Sequence, residues 1–174
     1  MDRAPKTCEQ MIRLHVPFAI VALVFLAGCQ PAMSFLPKPK VTSIEVHKDE
    51  RRLDLLSYGF PVRRYEIDLG SNPIGPKRMR DDGKTPEGNY HITHLNQQSQ
   101  FTLSLGLNYP NAWDQKIATH YGIDAGDGIF IHGMPNGKVV EKDDWTNGCI
   151  AVSNAEIYEI AALVRPGTPV HIHP

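Results

Sequence analysis

From residue 41 onward, apolar and polar positions alternate with period two. Tyr65, Ile67 and Leu69 interleave with Arg64, Glu66 and Asp68, while Phe101, Leu103, Leu105 and Leu107 interleave with Thr102, Ser104, Gly106 and Asn108. Successive side chains of a strand point to opposite faces, so both runs read as half-buried strands. Weaker alternation predicts strands near 41–48, 52–57, 89–95, 128–131, 149–152 and 168–172. Turn clusters separate them: Tyr58-Gly59-Phe60-Pro61, Asn72-Pro73-Ile74-Gly75-Pro76 and the run from Asp81 through Gly88. Two segments break the pattern. A helix is expected over 112–121, ending at Gly122. A second follows Ser153, where Glu156 completes a capping box and Ile157, Ile160, Ala161 and Val164 share one face, until Pro166-Gly167 stops it. About eight short strands with two helices predict a mainly-β fold, a sandwich or open barrel with helices at its margin.

The first forty residues follow a different rule. Arg3, Lys6, Arg13 and His15 precede an apolar run from Val16 to Ala27, the charged and hydrophobic regions of an export signal. The run is shorter than the roughly 20 residues a membrane-spanning helix needs. Leu26-Ala27-Gly28-Cys29 then resembles the lipobox of bacterial lipoproteins, which implies cleavage after residue 28 and lipidation of Cys29. Two or more acyl chains hold a soluble domain stably on a bilayer where one does not. Residues 29–40, with Pro31, Pro37 and Pro39, read as a tether, and 41–174 as one domain with its own core. With Gln30 after the cysteine, the expected location in a Gram-negative host is the periplasmic face of the outer membrane. The chain carries 18 Lys+Arg against 19 Asp+Glu, so it lacks the basic excess of a nucleic-acid binder.

Cleavage removes Cys8 and lipidation occupies Cys29, which leaves Cys149 without an intramolecular disulfide partner in a compartment where disulfides form. A lone thiol there is either buried and inert or chemically employed. The stretch "IFIHGMPNGKVVEKDDWTNGCIAVSN" favours employment. Alternation puts Ile129 and Ile131 on one face and Phe130 and His132 on the other, so that His132 faces a groove if the isoleucines face the core. Gly148 permits a tight turn before Cys149, and the amides of both could point at one oxygen. A thiol, a base and oxyanion donors are the parts of a cysteine acyl-transfer site.

His132-Gly133, a spacer, then Thr146-Asn147-Gly148-Cys149-Ile150 resembles the signature of the L,D-transpeptidase catalytic domain, the YkuD family. Thr85-Pro86-Glu87-Gly88, Tyr109-Pro110-Asn111 with Asp114, "GIDAGDGIFIHG" and Gly167-Thr168-Pro169-Val170 extend the likeness over most of 41–174. The resemblance implies peptidoglycan stem peptides as substrate, Cys149 as nucleophile and His132 as general base. It also implies that the Gly133 carbonyl orients the imidazole, that Gly148 and Cys149 amides hold the oxyanion, and that Thr146 and Asn147 contact substrate. The acceptor is an amine of a second stem or of an envelope protein, or water, and no metal or organic cofactor is required. Hydrolysis of stem peptides or of peptidoglycan–protein links is the alternative reaction. A silent wall-binding lipoprotein is the third, against which the presence of both His132 and Cys149 argues. Many members carry arginine two positions after the cysteine, to help bind the donor stem; this chain has Ala151. His171 and His173, spaced for one strand face, have no acidic or cysteine cluster beside them in sequence and read as surface residues.

Overall fold

The computed structural model describes residues 38–174; the expected signal segment, Cys29 and most of the tether lie outside the described residues. In chain order the elements are β1 Ser43–His47, β2 Arg52–Ser57, β3 Phe60–Glu66, β4 Gly88–Asn96, β5 Ser104–Leu107, α1 Ala112–Tyr121, β6 Phe130–His132, β7 Ile150–Ala151, α2 Asn154–Leu163 and β8 Pro169–His173. The strands form one sheet in the order β3-β2-β1-β8-β4-β5-β6-β7, parallel at β1–β8 and β6–β7 and antiparallel elsewhere. The fold is thus mainly β, a curled sheet with two helices. No helix among the described residues is long and apolar enough to cross a membrane.

The sheet curls until its edges meet. Past the end of β3, Asp68 bridges Ala151 and Gly70 bridges Thr146, through the pairs Asp68 N–H to Ala151 O (2.9 Å), Ala151 N–H to Asp68 O (2.8 Å), Ser71 N–H to Thr146 O (2.9 Å) and Thr146 N–H to Leu69 O (3.1 Å). The alternation through Tyr65, Ile67 and Leu69 is real burial, since all three belong to the core, but only Tyr65 lies in the strand. The rest forms this seam. Ile44, Val46, Leu53, Leu55, Ile92, Ile131, Ile150 and Val170 fill the interior, and α2 adds Ile157 and Ile160.

Two further boundaries differ from the sequence expectation. Phe60 and Pro61 open β3 instead of forming a turn, because Tyr58 (φ 50°) and Gly59 (φ 87°) complete a two-residue hairpin loop by themselves. The strand expected from Phe101 begins only at Ser104. Thr102 is left-handed (φ 64°) and is held there by its N–H and hydroxyl on the Asn136 and Asn154 side chains. Helix ends follow the sequence more closely. Asn111 and Asp114 form a capping box on α1, Gly122 closes it at φ 65°, and Ser153 with Glu156 caps α2, whose last residue precedes Val164.

The loop from Ser71 to Glu87 lies behind the seam, tied down by Lys48. Its buried ammonium donates to Gly75 O (2.8 Å), Thr85 O (3.1 Å) and Glu87 Oε1 (2.7 Å), which uses all three of its hydrogens. This loop presses against Gly148, where a β-carbon would run into the Lys84 carbonyl oxygen and the backbone holds φ 119°. Gly137 also has positive φ (68°) but has nothing within 4 Å of a β-carbon. Gly148→Ala is therefore expected to unfold at a clearly lower denaturant concentration than Gly137→Ala, which carries only the backbone strain of about 1 kcal/mol. Equal midpoints in equilibrium urea unfolding would contradict this.

Candidate active site

The seam delivers two residues to one cleft. His132 ends β6 and is 3% exposed. Its Nδ1 lies 2.7 Å from the Gly133 carbonyl oxygen, which can only accept, so Nδ1 carries the proton and Nε2 the lone pair. Two rings hold the imidazole, with centroids 4.5 Å away at Phe101 and 5.5 Å at Trp145. Burial lowers the His132 pKa below the ordinary imidazole value, and the Gly133 bond opposes this only in part. The ring is neutral at pH 7.

Trp145 is itself anchored. Its indole N–H donates to Asp68 Oδ2 (3.2 Å), and Asp68 Oδ1 accepts from the Asp144 amide (3.2 Å). The Asp144 carboxylate accepts from Leu69 N–H (3.0 Å) and from the Arg51 guanidinium, with Nη2 at 2.6 Å from Oδ2 and Nε at 3.0 Å from Oδ1. Asp144 and Trp145 thus form a braced wall beside His132. The brace depends on Asp68 and Arg51, which no local motif marks.

Cys149 enters β7 from a turn built by Thr146. That hydroxyl donates to the Cys149 carbonyl (2.8 Å) and accepts from the Gly148 amide (3.1 Å). Thr146 is 5% exposed. These contacts place Thr146 inside the turn, with its hydroxyl joining the Gly148 amide to the Cys149 carbonyl. Asn147 is exposed, and its amide donates to Asp81 Oδ1 (3.0 Å). The Cys149 thiol has the Gly128 carbonyl as its partner, at 3.5 Å, and not the imidazole. Burial pushes the thiol pKa up, opposed by the Phe130 amide and, over a longer range, by the Lys77 charge. Lys77 is buried and paired to Asp82 (2.9 Å), a residue pair that the sequence reading passed over.

Cys149 and His132 line one cleft of about 420 Å³, together with Phe101, Ser104, Gln98 and Gln100. Ser104 was legible only as a polar position on an apolar strand. Ala151 lines a different pocket of about 820 Å³, with Arg51, Asp68 and Asp144. His171 and His173 are spent locally, on Asn89 Oδ1 and Glu45 Oε2, both at 2.6 Å. Among the described residues no group of three or more His, Cys, Asp or Glu is placed to hold a metal ion.

The chain is similar to known proteins. The L,D-transpeptidase catalytic domain family, YkuD, matches residues 42–172. YafK of Escherichia coli strain K12, a protein named as an L,D-transpeptidase, is 32% identical over 144 residues, which are 75% of this chain and 53% of that protein. The helical cell shape determining protein Pgp2 of Campylobacter jejuni superposes with TM-score 0.63 at 25% identity over 78% of this chain and 48% of its own. Bd1075 of Bdellovibrio bacteriovorus gives TM-score 0.57 at 28% identity over 78% of this chain and 48% of its own. An Enterococcus faecium L,D-transpeptidase, at 16% identity and TM-score 0.52, shows the same fold. The chain spans about half the length of each of the first three. By the extent of the family match, this chain belongs to the L,D-transpeptidase catalytic domain family.

Proposed function

We propose that the protein is a cysteine acyltransferase of peptidoglycan stem peptides, held at the cell envelope by lipid on Cys29. The observation that carries this reading is the Nδ1 bond to Gly133, which leaves the basic Nε2 of a neutral His132 in the same cleft as the Cys149 thiol. With the pKa of the imidazole lowered and that of the thiol raised, the resting pair is thiol and imidazole, not thiolate and imidazolium. Proton transfer then accompanies attack. Sγ adds to the carbonyl carbon between the L-centre of the stem's diamino acid and D-alanine while its proton passes to Nε2. The C–N bond breaks, His132 returns the proton to the departing amine, and a thioester is left on Cys149. An amine acceptor adds to the thioester and gives its proton to His132, and the C–S bond breaks to restore the thiol. The oxyanion is held by the Cys149 amide together with the Gly148 amide, which at rest donates to the Thr146 hydroxyl. Water in place of the amine gives hydrolysis by the same steps.

Cys149→Ala is expected to abolish turnover of defined muropeptides, read by mass spectrometry, with the unfolding midpoint kept within a few degrees. In the wild type, cross-linked dimers or D-amino-acid exchange identify transfer, and tripeptide alone identifies hydrolysis. Undiminished turnover by the variant would remove the mechanism. For the anchor, a labelled fatty acid should mark the wild type and not Cys29→Ala; equal labelling of both would exclude it.

The pH profile follows from the same groups. Below its own pKa His132 is protonated and cannot accept the thiol proton, so kcat/KM should rise with pH through a midpoint below 6.5. Trp145→Ala admits water to the ring and should move that midpoint up toward 6.5. An unshifted acidic limb in the variant would show that Trp145 does not desolvate the base.

A further inference from the structure

The β2–β3 hairpin ends in two aromatic side chains that the interior does not use. Tyr58 is 68% and Phe60 76% exposed, one on each side of Gly59. The loop itself gains nothing from the first of them. Tyr58 stands at φ 50°, a left-handed backbone that Asn, Asp or Gly adopts at lower cost. The preference of the turn does not account for the ring, so its use lies outside the fold.

The chain enters the domain beside this tip. The Thr42 hydroxyl donates to the Leu56 carbonyl (3.2 Å) and accepts from the Tyr58 amide (2.8 Å), and the Lys40 ammonium lies 5.4 Å from the centre of the Tyr58 ring. Lys38 and Lys40 are both exposed. The next charge along β3, Arg63, is closed on Glu159 (2.6 Å) and adds little to that of the two lysines. Lys38 stands nine residues after Cys29, a span of about 30 Å at full extension. Lipid on Cys29 therefore keeps this end of the domain within that distance of a bilayer. The far end of the hairpin leads to the seam that carries Cys149. β3 runs seven residues from Phe60 to Glu66, about 20 Å as a strand, before the chain reaches Asp68 and its bridge to Ala151. A tip seated on the bilayer leaves the cleft at the opposite end of β3, away from the lipid.

We propose that the β2–β3 hairpin tip is a second membrane contact: Tyr58 and Phe60 insert at the headgroup boundary of the bilayer that holds the Cys29 lipid, and Lys38 and Lys40 face its anionic headgroups. The inference rests on the lipid-anchor reading and adds an orientation to it. Tyrosine suits that boundary, with a ring for the acyl side and a hydroxyl for the wet side, and lysine reaches headgroup phosphates past its own apolar stem. Together with the acyl chains, this contact fixes which way the cleft faces, which a tether alone does not.

The test uses the whole chain as purified from membranes, in the Cys149→Ala background, with one added thiol carrying an environment-sensitive fluorophore. The thiol stands either beside the tip (Pro61→Cys) or on the loop from Ser71 to Glu87 (Ile74→Cys), both exposed positions. Vesicles of phosphatidylcholine and phosphatidylglycerol carry a nitroxide on the headgroup of a minor lipid. Quenching is expected at position 61 and not at 74. Tyr58→Ser with Phe60→Ser should abolish it at an unchanged unfolding midpoint. Lys40→Gln should lower the docked-to-undocked ratio about fivefold, the effect of one lysine at an anionic surface. Equal quenching at both positions, or full quenching in the double variant, overturns the inference alone. So does concentration-dependent shielding of position 61 in detergent micelles, which assigns the tip to a second copy of the chain. Intact mass is read on the same samples: a chain without acyl groups overturns the anchor reading and this inference with it.

Discussion

Everything at this site depends on the four backbone hydrogen bonds that join the segment after β3 to the turn before Cys149 and to β7. Those bonds join the two open edges of the eight-stranded sheet, and Cys149 stands on the join. Closure also satisfies the edge groups of β7, a two-residue strand whose other side pairs with β6. Gly70 and Gly148 let the backbones come together. A β-carbon on Gly70 would strike the Gly83 carbonyl, and one on Gly148 the Lys84 carbonyl.

The electrostatics of the pair follow from that closure. Taking His132 and Cys149 out of water disfavours the charged form of each, and the shifts run in opposite directions: imidazole down, thiol up. An ion pair at rest would have to overcome both. The surroundings favour a neutral pair, with the Phe130 amide and the distant Lys77 charge the only influences that pull the thiol the other way.

Local chemistry was readable in the sequence; long-range chemistry was not. His132, Cys149 and the capping residues Ser153 and Glu156 announce themselves through neighbours a few positions away, and the structure puts the first two in one cleft and the last two in one cap. The period-two runs marked burial correctly at Ile67 and Leu69 but not the end of the strand, because a bridge between distant residues leaves no periodic trace. The same applies to the wall beside His132, where Trp145 meets Asp68 across 77 positions and Arg51 meets Asp144 across 93. The contacts of Thr146 and Gly148 were hidden for another reason. A motif gives identities at fixed spacing, while the direction of one hydroxyl and one amide depends on the turn they form together.

That turn has a consequence for which residues the position accepts. The Thr146 oxygen gives its hydrogen to the Cys149 carbonyl and receives one from the Gly148 amide, and the methyl group takes no part in either bond. Serine supplies the same atom, whereas valine matches the shape and leaves two buried backbone groups unsatisfied. What the turn requires at this position is a single oxygen, not a side chain of a given size.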